Sequence, residues 1–190
     1  DVVDLGGTAV FDVPSVSLDG APRLPAAGVI TLNHRYTEQF LTAASGTSFA
    51  APLLIHKAAR LLRRMPDASA NLLRALLVGA ARSPDAFDRR LTAMTAAERV
   101  RIGGNGVVDP SRAEYSDDHR VVLYAEDALE MDQFAVYRLP IPPEFRTGGD
   151  RTIRVSLAYD PPVRRTRNDY LGTKMDFRLL RGIDEAELFE

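Results

Sequence analysis

The sequence contains no cysteine. Disulfides, thiolate catalysis and cysteine-ligated zinc are therefore excluded within the chain. The compartment is not fixed by this, because secreted proteins need not use disulfides. No apolar run reaches the roughly 18 residues that a helical membrane span requires. Lysine is nearly missing: Lys57 and Lys174 stand against 22 arginines. Arginine pairs and stacks better than lysine, but with the abundance of alanine the bias reads first as the mark of a GC-rich genome. An excess of one charge is also missing. The net charge is −2, so neither a nucleic-acid nor a membrane footprint follows. There is no initiator methionine and no charged leader. Asp1-Val2-Val3 reads like the inside of a strand, so a longer protein, cut upstream, is expected.

A length of 190 residues accommodates one large domain or two small ones with a substantial core. Apolar content of 45% and charged content of 26% are ordinary for a soluble globular protein. Residues 1–13 alternate apolar and polar around Gly6-Gly7. They read as a short strand, a tight turn and a second extended piece. Pro14, Gly20, Pro22, Pro25 and Gly28 make 14–28 a loop, with a short strand following at 29–32.

The clearest helix spans 48–65. Ala51, Leu54, Ala58, Leu61 and Met65 fall at helical spacing, and Leu53, Ile55 and Leu62 widen the apolar face. A face this broad predicts a helix buried on most sides. Pro52 is placed in the first turn, where a missing N–H is harmless, and Pro66 ends the helix. A second helix over 69–81, capped by Asp67 or Ser69, buries Leu72, Leu73, Leu76, Leu77 and Ala80. A third, over 93–102, carries Thr95 and Glu98 at the spacing of a capping box. Gly103-Gly104-Asn105-Gly106 then forces a turn before Val107-Val108 and a last helical turn at 110–114.

After about residue 118 the texture changes to period-two alternation punctuated by Pro and Gly. Ile153, Val155, Leu157 and Tyr159 fall on one face of 152–159, the pattern of a half-buried antiparallel strand. The polar run Glu114–Asp118 sets a boundary, giving domains 1–117 and 118–190. No internal repeat is visible, and the acidic tail 183–190 reads as loose or as a short helix.

Chemistry concentrates at Gly46-Thr47-Ser48-Phe49-Ala50-Ala51-Pro52. A serine hydroxyl is a poor nucleophile without a base beside it. At the first turn of a helix the Ser48 hydroxyl is presented at the helix mouth. Its own N–H is unsatisfied there and can stabilise a developing oxyanion. Gly46 permits a sharp turn and a close approach of substrate backbone. Thr47 can brace the loop through its hydroxyl, Ala50 allows tight packing and Pro52 stiffens the helix start. The competing, plainer role of Ser48 is an ordinary helix N-cap.

This Gly-Thr-Ser-x-Ala-x-Pro run resembles the nucleophile motif of the subtilisin-like serine proteases (subtilases). Three more stretches agree in order. Asp1–Gly7 resembles the strand and Pro-Gly turn before the nucleophile loop, with Leu5 where the family usually has Pro. Residues 67–81 resemble the following helix. Gly104–Ala113 resembles the Gly-x-Gly-x-x-(Asn/Asp) segment near the end of the protease domain. Together they cover about 1–114. Val155–Pro162 resembles, less specifically, a strand and turn of the jelly-roll domains that follow some bacterial subtilases.

The resemblance implies an α/β fold, the C-terminal part of a subtilisin-like parallel-sheet domain, followed by an antiparallel β-sandwich of jelly-roll type. It implies that Ser48 is the nucleophile and a backbone oxyanion donor, supported by Gly46 and Thr47. The family's chain order places acid and base before the serine, and its oxyanion asparagine also lies upstream. Neither Asn33 nor Asn105 matches that context. His34, fourteen residues before Ser48, is not in a His-Gly-Thr-like setting and reads as a loop residue; His56, two turns down the helix, cannot reach back; His119 lies at the domain junction. Asp1, Asp4 and Asp12 read as solvated turn residues.

The implied partners are a polypeptide substrate and the upstream part of the same protease. No nucleic acid and no membrane are expected. A parallel sheet lacking half its strands would expose apolar edges, so the chain alone is expected to self-associate. Subtilases often bind calcium, but neither Asp117-Asp118 nor Asp184-Glu185 approaches a calcium-loop spacing, so no cofactor or metal is assigned. Arg164-Arg165-x-Arg167 reads as a solvated loop, with an acidic partner or the missing protease half as the alternative. The chain alone, without its base, is expected to be inactive. The rival reading is a non-catalytic binding or regulatory fragment, with a degenerate protease half and a recognition β domain.

Overall fold

The computed structural model describes residues 2–21, 24–146, 149–163, 166 and 172–183. Asp1, Arg164, Arg165, Arg167, Asp184, Glu185 and the rest of the acidic tail lie outside the described residues. The chain divides into two compact units, Asp1–Tyr124 and Ala125–Glu190.

The first unit opens with hairpin strands β1 (Val10–Asp12) and β2 (Ser17–Asp19), in the register Val10↔Asp19 and Asp12↔Ser17. Asp12 Oδ2 accepts from the Ser15 N–H and hydroxyl, which closes the turn between them. A second hairpin pairs β3 (Val29–Leu32) with β4 (Leu41–Ala44), Val29 opposite Ala44 and Leu32 opposite Leu41. The long helix α1 (Thr47–Arg64) leaves directly from β4, and α2 (Ala70–Ala80) follows. The Ser69 hydroxyl accepts from the Leu72 N–H and starts α2. Strand β5 (Ala81–Arg82), helices α3 (Asp85–Arg90) and α4 (Ala96–Gly103), strand β6 (Val107–Val108) and helix α5 (Ser111–Glu114) complete the unit.

Helix α4 carries the capping box expected of Thr95 and Glu98, and hydrogen bonds from Thr95 hold the Glu98 carboxyl below its ordinary pKa. Its exit uses Gly104, and Gly106 follows with φ +97°. A Cβ on Gly106 would lie 2.1 Å from the Arg82 carbonyl oxygen, so only glycine lets β6 close against β5. Those strands pair antiparallel, Ala81 with Val108 and Arg82 with Val107. On the other side of β6, Val3 makes a parallel bridge to Val107, and its N–H reaches the Gly106 carbonyl at 3.0 Å.

The core is small. Leu61 of α1, Leu72, Leu76 and Ala80 of α2, Ala81, Val108 and Ala113 are buried, with Val2, Leu54, Met65, Leu73, Leu77 and Val122 packed at the margin. Leu54, Ala58, Leu61 and Met65 recur at helical spacing and form the stripe of α1 that faces inward. The expectation of a helix buried on most sides is corrected. Leu61 is the one fully buried residue of α1, while Leu53, Ile55 and Leu62 are 36%, 67% and 41% exposed. The described residues supply a layer on one side of the helix and none on the other.

Three basic side chains latch α1 to its surroundings. Lys57 Nζ lies 2.6 Å from Asp4 Oδ2. Arg60 grips Glu114 of α5 with two hydrogen bonds of 3.1 Å, and the Glu114 side chain is 5% exposed. The Arg64 guanidinium stacks 4.7 Å from the centre of the Tyr115 ring. Asp109, before α5, accepts from the Ser111 hydroxyl and N–H, and the hydroxyl bond chiefly holds its carboxyl below the usual range.

Mixed helices and small antiparallel sheets thus build an α/β unit. The expected parallel sheet is represented among the described residues by the Val3–Val107 bridge alone. The second unit differs more. Its described residues contain the 3₁₀ turn Pro143–Arg146 and no strand. The strand expected over 152–159 is not formed, and no β-sandwich or jelly-roll is shown among the described residues. Ile153, Val155 and Leu157 remain 44%, 42% and 42% exposed. Alternation selects a face, but a strand also needs a neighbour to accept its hydrogen bonds and a layer to cover that face.

The one-sided burial of α1 has a direct consequence. Leu61→Ala is expected to destabilise the chain by about 2–5 kcal/mol. Leu62→Ala should cost about 1 kcal/mol or less. Urea unfolding of both variants checks this, and equal losses would contradict the assigned face.

Candidate functional site

The site begins where the β3–β4 hairpin hands the chain to α1. Gly46 is the N-cap residue and has no side chain with which to cap, although its carbonyl accepts from the Phe49 N–H at 3.0 Å. Thr47 and Ser48 are the first two helical residues, and both are exposed. The first turn of α1 carries no acidic side chain. Its N–H groups and the positive end of the helix dipole are therefore left uncompensated at Ser48. Such a helix mouth favours negative charge.

Pro52 stands sixth in the helix, not in its first turn as expected. It has no N–H to give to the Ser48 carbonyl four residues earlier. The turn that presents Ser48 thus lacks one internal hydrogen bond and depends on contacts from outside the helix.

Those contacts come from the segment 4–8. The Gly46 N–H donates to the Gly6 carbonyl at 2.7 Å. The Ser45 hydroxyl donates to the Thr8 carbonyl at 3.2 Å and accepts from the Ala21 N–H at 3.4 Å. A Cβ on Gly6 would lie 2.6 Å from the Gly46 carbonyl oxygen, so glycine is required for this approach. At Gly46 itself the backbone is extended, and a Cβ would meet nothing closer than the Phe49 ring at 3.7 Å. The sharp turn expected of Gly46 is therefore not made there. The Thr47 hydroxyl makes no hydrogen bond among the described residues, and the bracing expected of it is carried out by Ser45.

His34, His56 and His119 are all exposed, and among the described residues no histidine or carboxylate hydrogen-bonds the Ser48 hydroxyl. His56 follows Ser48 by eight residues, about 12 Å along the helix axis. Asn33 Oδ1 accepts from the Arg35 N–H in the turn between β3 and β4. Among the described residues no group of three or more His, Asp or Glu is gathered as a metal site.

Asp4 overturns its expected role as a solvated turn residue. Its side chain is 6% exposed, its Oδ1 accepts from the Leu5 N–H at 2.9 Å, and its Oδ2 faces the Lys57 ammonium. The sequence signal was available but weak: Lys57 is one of two lysines and interrupts the apolar run of α1.

The asymmetry between the two glycines is testable. Gly6→Ala forces backbone against backbone and should cost about 1–3 kcal/mol, clearly more than Gly46→Ala. Thermal or urea unfolding of both variants checks this, and the reverse order would contradict the packing described.

Comparison with known proteins agrees with this geometry. The sequence profile of the Subtilase family matches residues 10–106, just over half of the chain. The match contains the Gly46–Pro52 run and α2 and ends at Gly106. The chain is also 52% identical over 192 residues to "Uncharacterized protein y4bN" of Sinorhizobium fredii (strain NBRC 101917 / NGR234), covering 100% of this chain and 44% of that protein. The chain therefore spans less than half the length of that relative. No solved structure matches. With the Gly-Thr-Ser-x-Ala-x-Pro run at the mouth of α1 inside the matched segment, the chain belongs to the subtilase family.

Proposed function

We propose that the chain is part of a serine endopeptidase in which Ser48 is the nucleophile. The observation that carries this reading is an exposed serine on an uncapped, acid-free helix N-terminus, inside a subtilase motif. The His and Asp of the triad come from a segment preceding this one. The imidazole takes the Ser48 Oγ proton as Oγ attacks the scissile carbonyl carbon. The Ser48 N–H donates to the oxyanion that forms. The imidazolium returns the proton to the leaving amine, and water then hydrolyses the acyl ester on Ser48. Gly46 and the β3–β4 hairpin over 31–45 wall the cleft in which a polypeptide lies, and Gly46 leaves room for its backbone.

The exposed apolar side of α1 fits this assignment. Ile55 and Leu62, seven residues apart and so on one side of the helix, belong to the surface on which the upstream part of the same protease packs. In the isolated chain the same surface drives self-association.

A fluorophosphonate probe tests the reading. In the full-length protein it should label Ser48, and Ser48→Ala should abolish labelling. The 190-residue chain alone should neither label nor cleave a chromogenic peptide, because Ser48 has no base. Equal labelling of Ser48→Ala would overturn the nucleophile assignment. An unlabelled full-length protein would favour a non-catalytic binding role.

A further inference from the structure

The Asp4–Lys57 pair lies away from the chemistry assigned above, yet it is connected to it by a short covalent and hydrogen-bonded path. Lys57 follows Ser48 by nine residues, two and a half turns and about 13 Å along α1. That half-turn remainder puts it on the opposite side of the helix from Ser48. Ala50 lies seven residues before Lys57 and therefore shares its side. A Cβ on Gly6 would touch Ala50 Cβ at 3.5 Å and the Gly46 carbonyl oxygen at 2.6 Å. Segment 4–6 thus runs along the Ala50–Lys57 side of α1, with Asp4 opposite Lys57 and Gly6 opposite the start of the helix.

Both charged side chains are largely removed from solvent, Lys57 at 18% and Asp4 at 6% exposure. A buried pair of this kind is a weak source of stability, because desolvation of two ions offsets their attraction. What it supplies is position: the Asp4 Oδ2 atom is buried with the Lys57 ammonium 2.6 Å away, and sliding segment 4–6 along α1 would leave that carboxylate without its counter-charge. Two residues from Asp4, the Gly6 carbonyl holds the Gly46 N–H at 2.7 Å. Two residues beyond Gly46 stands Ser48. Because Pro52 removes one internal hydrogen bond of that turn, the Gly6 contact constrains it from outside the helix.

We propose that Asp4 and Lys57 are positioning residues: their ion pair fixes segment 4–6 so that the Gly6 carbonyl holds Gly46, and through it the reactive geometry of Ser48. The catalytic consequence rests on Ser48 being the nucleophile; the mechanical part, from Lys57 to Gly46, does not.

The test uses the full-length protein with three readouts: unfolding midpoint, hydrogen exchange of the Gly46 amide, and the fluorophosphonate labelling rate of Ser48. Lys57→Met leaves Asp4 buried and unpaired. It should lower the midpoint, speed Gly46 exchange at least tenfold and slow labelling about tenfold. Lys57→Arg keeps a cation and should restore most of the labelling rate. The decisive variant combines Asp4→Leu with Lys57→Met, which removes both charges. It should regain the midpoint while Gly46 exchange stays fast and labelling stays slow. If that double variant recovers all three readouts, the pair is only structural and the proposal fails. If the wild-type protein is not labelled, the nucleophile reading fails instead. Gly46 exchange then still decides the mechanical part: exchange in the double variant equal to wild type would overturn it.

Discussion

The hydrogen bond from the Gly46 N–H to the Gly6 carbonyl joins two segments forty residues apart, and the geometry at Ser48 depends on it. Gly6 has no side chain, which lets its backbone lie against that of Gly46 with the hydrogen bond at 2.7 Å. A methyl group on Gly6 would occupy the space of the Gly46 carbonyl. On one side of this contact, the 2–6 segment is held to β6 by the Val3–Val107 bridge. On the other, α1 begins without a side-chain cap. The contact ties down the end of α1 that has no side-chain cap and leaves N–H groups of its first turn free. A side-chain cap there would make the helix more stable.

Farther along α1 the logic reverses. Lys57, Arg60 and Arg64 succeed one another at three- and four-residue spacing and engage Asp4, Glu114 and Tyr115. These contacts orient the helix where the apolar core is thin, since Leu61 is its one fully buried member of α1. Leu53 on one flank of the helix and Ile55 and Leu62 on the other stay exposed among the described residues. Firm lateral anchoring thus coexists with apolar flanks that stay exposed among the described residues.

What the sequence made legible was mostly local. Strand Val29–Leu32, the Ser69 cap, the Thr95–Glu98 box and the helical turn at 111–114 each depend on residues within a few positions of one another. The Ser48 motif was legible for the same reason, because helix mouth, glycine and serine are contiguous. Pairing was not legible. Strand β4 and short α3 carry no strong period, and the Asp4–Lys57 contact spans more than fifty residues. A carboxylate beside Gly6-Gly7 reads as a turn residue until a lysine from a distant helix is brought against it. Alternation over 152–159 predicted a strand whose neighbour the pattern could not name, and none formed among the described residues.

If Ser48 is the nucleophile proposed above, the mouth of α1 carries a covalent acyl group once a base is supplied. Acid quenching of the full-length protein during turnover of an activated ester, followed by peptide mapping, measures this directly. The expected product is an acyl group on Ser48. An acyl group on any other residue, or an equal amount on Ser48 of the 190-residue chain alone, would contradict it.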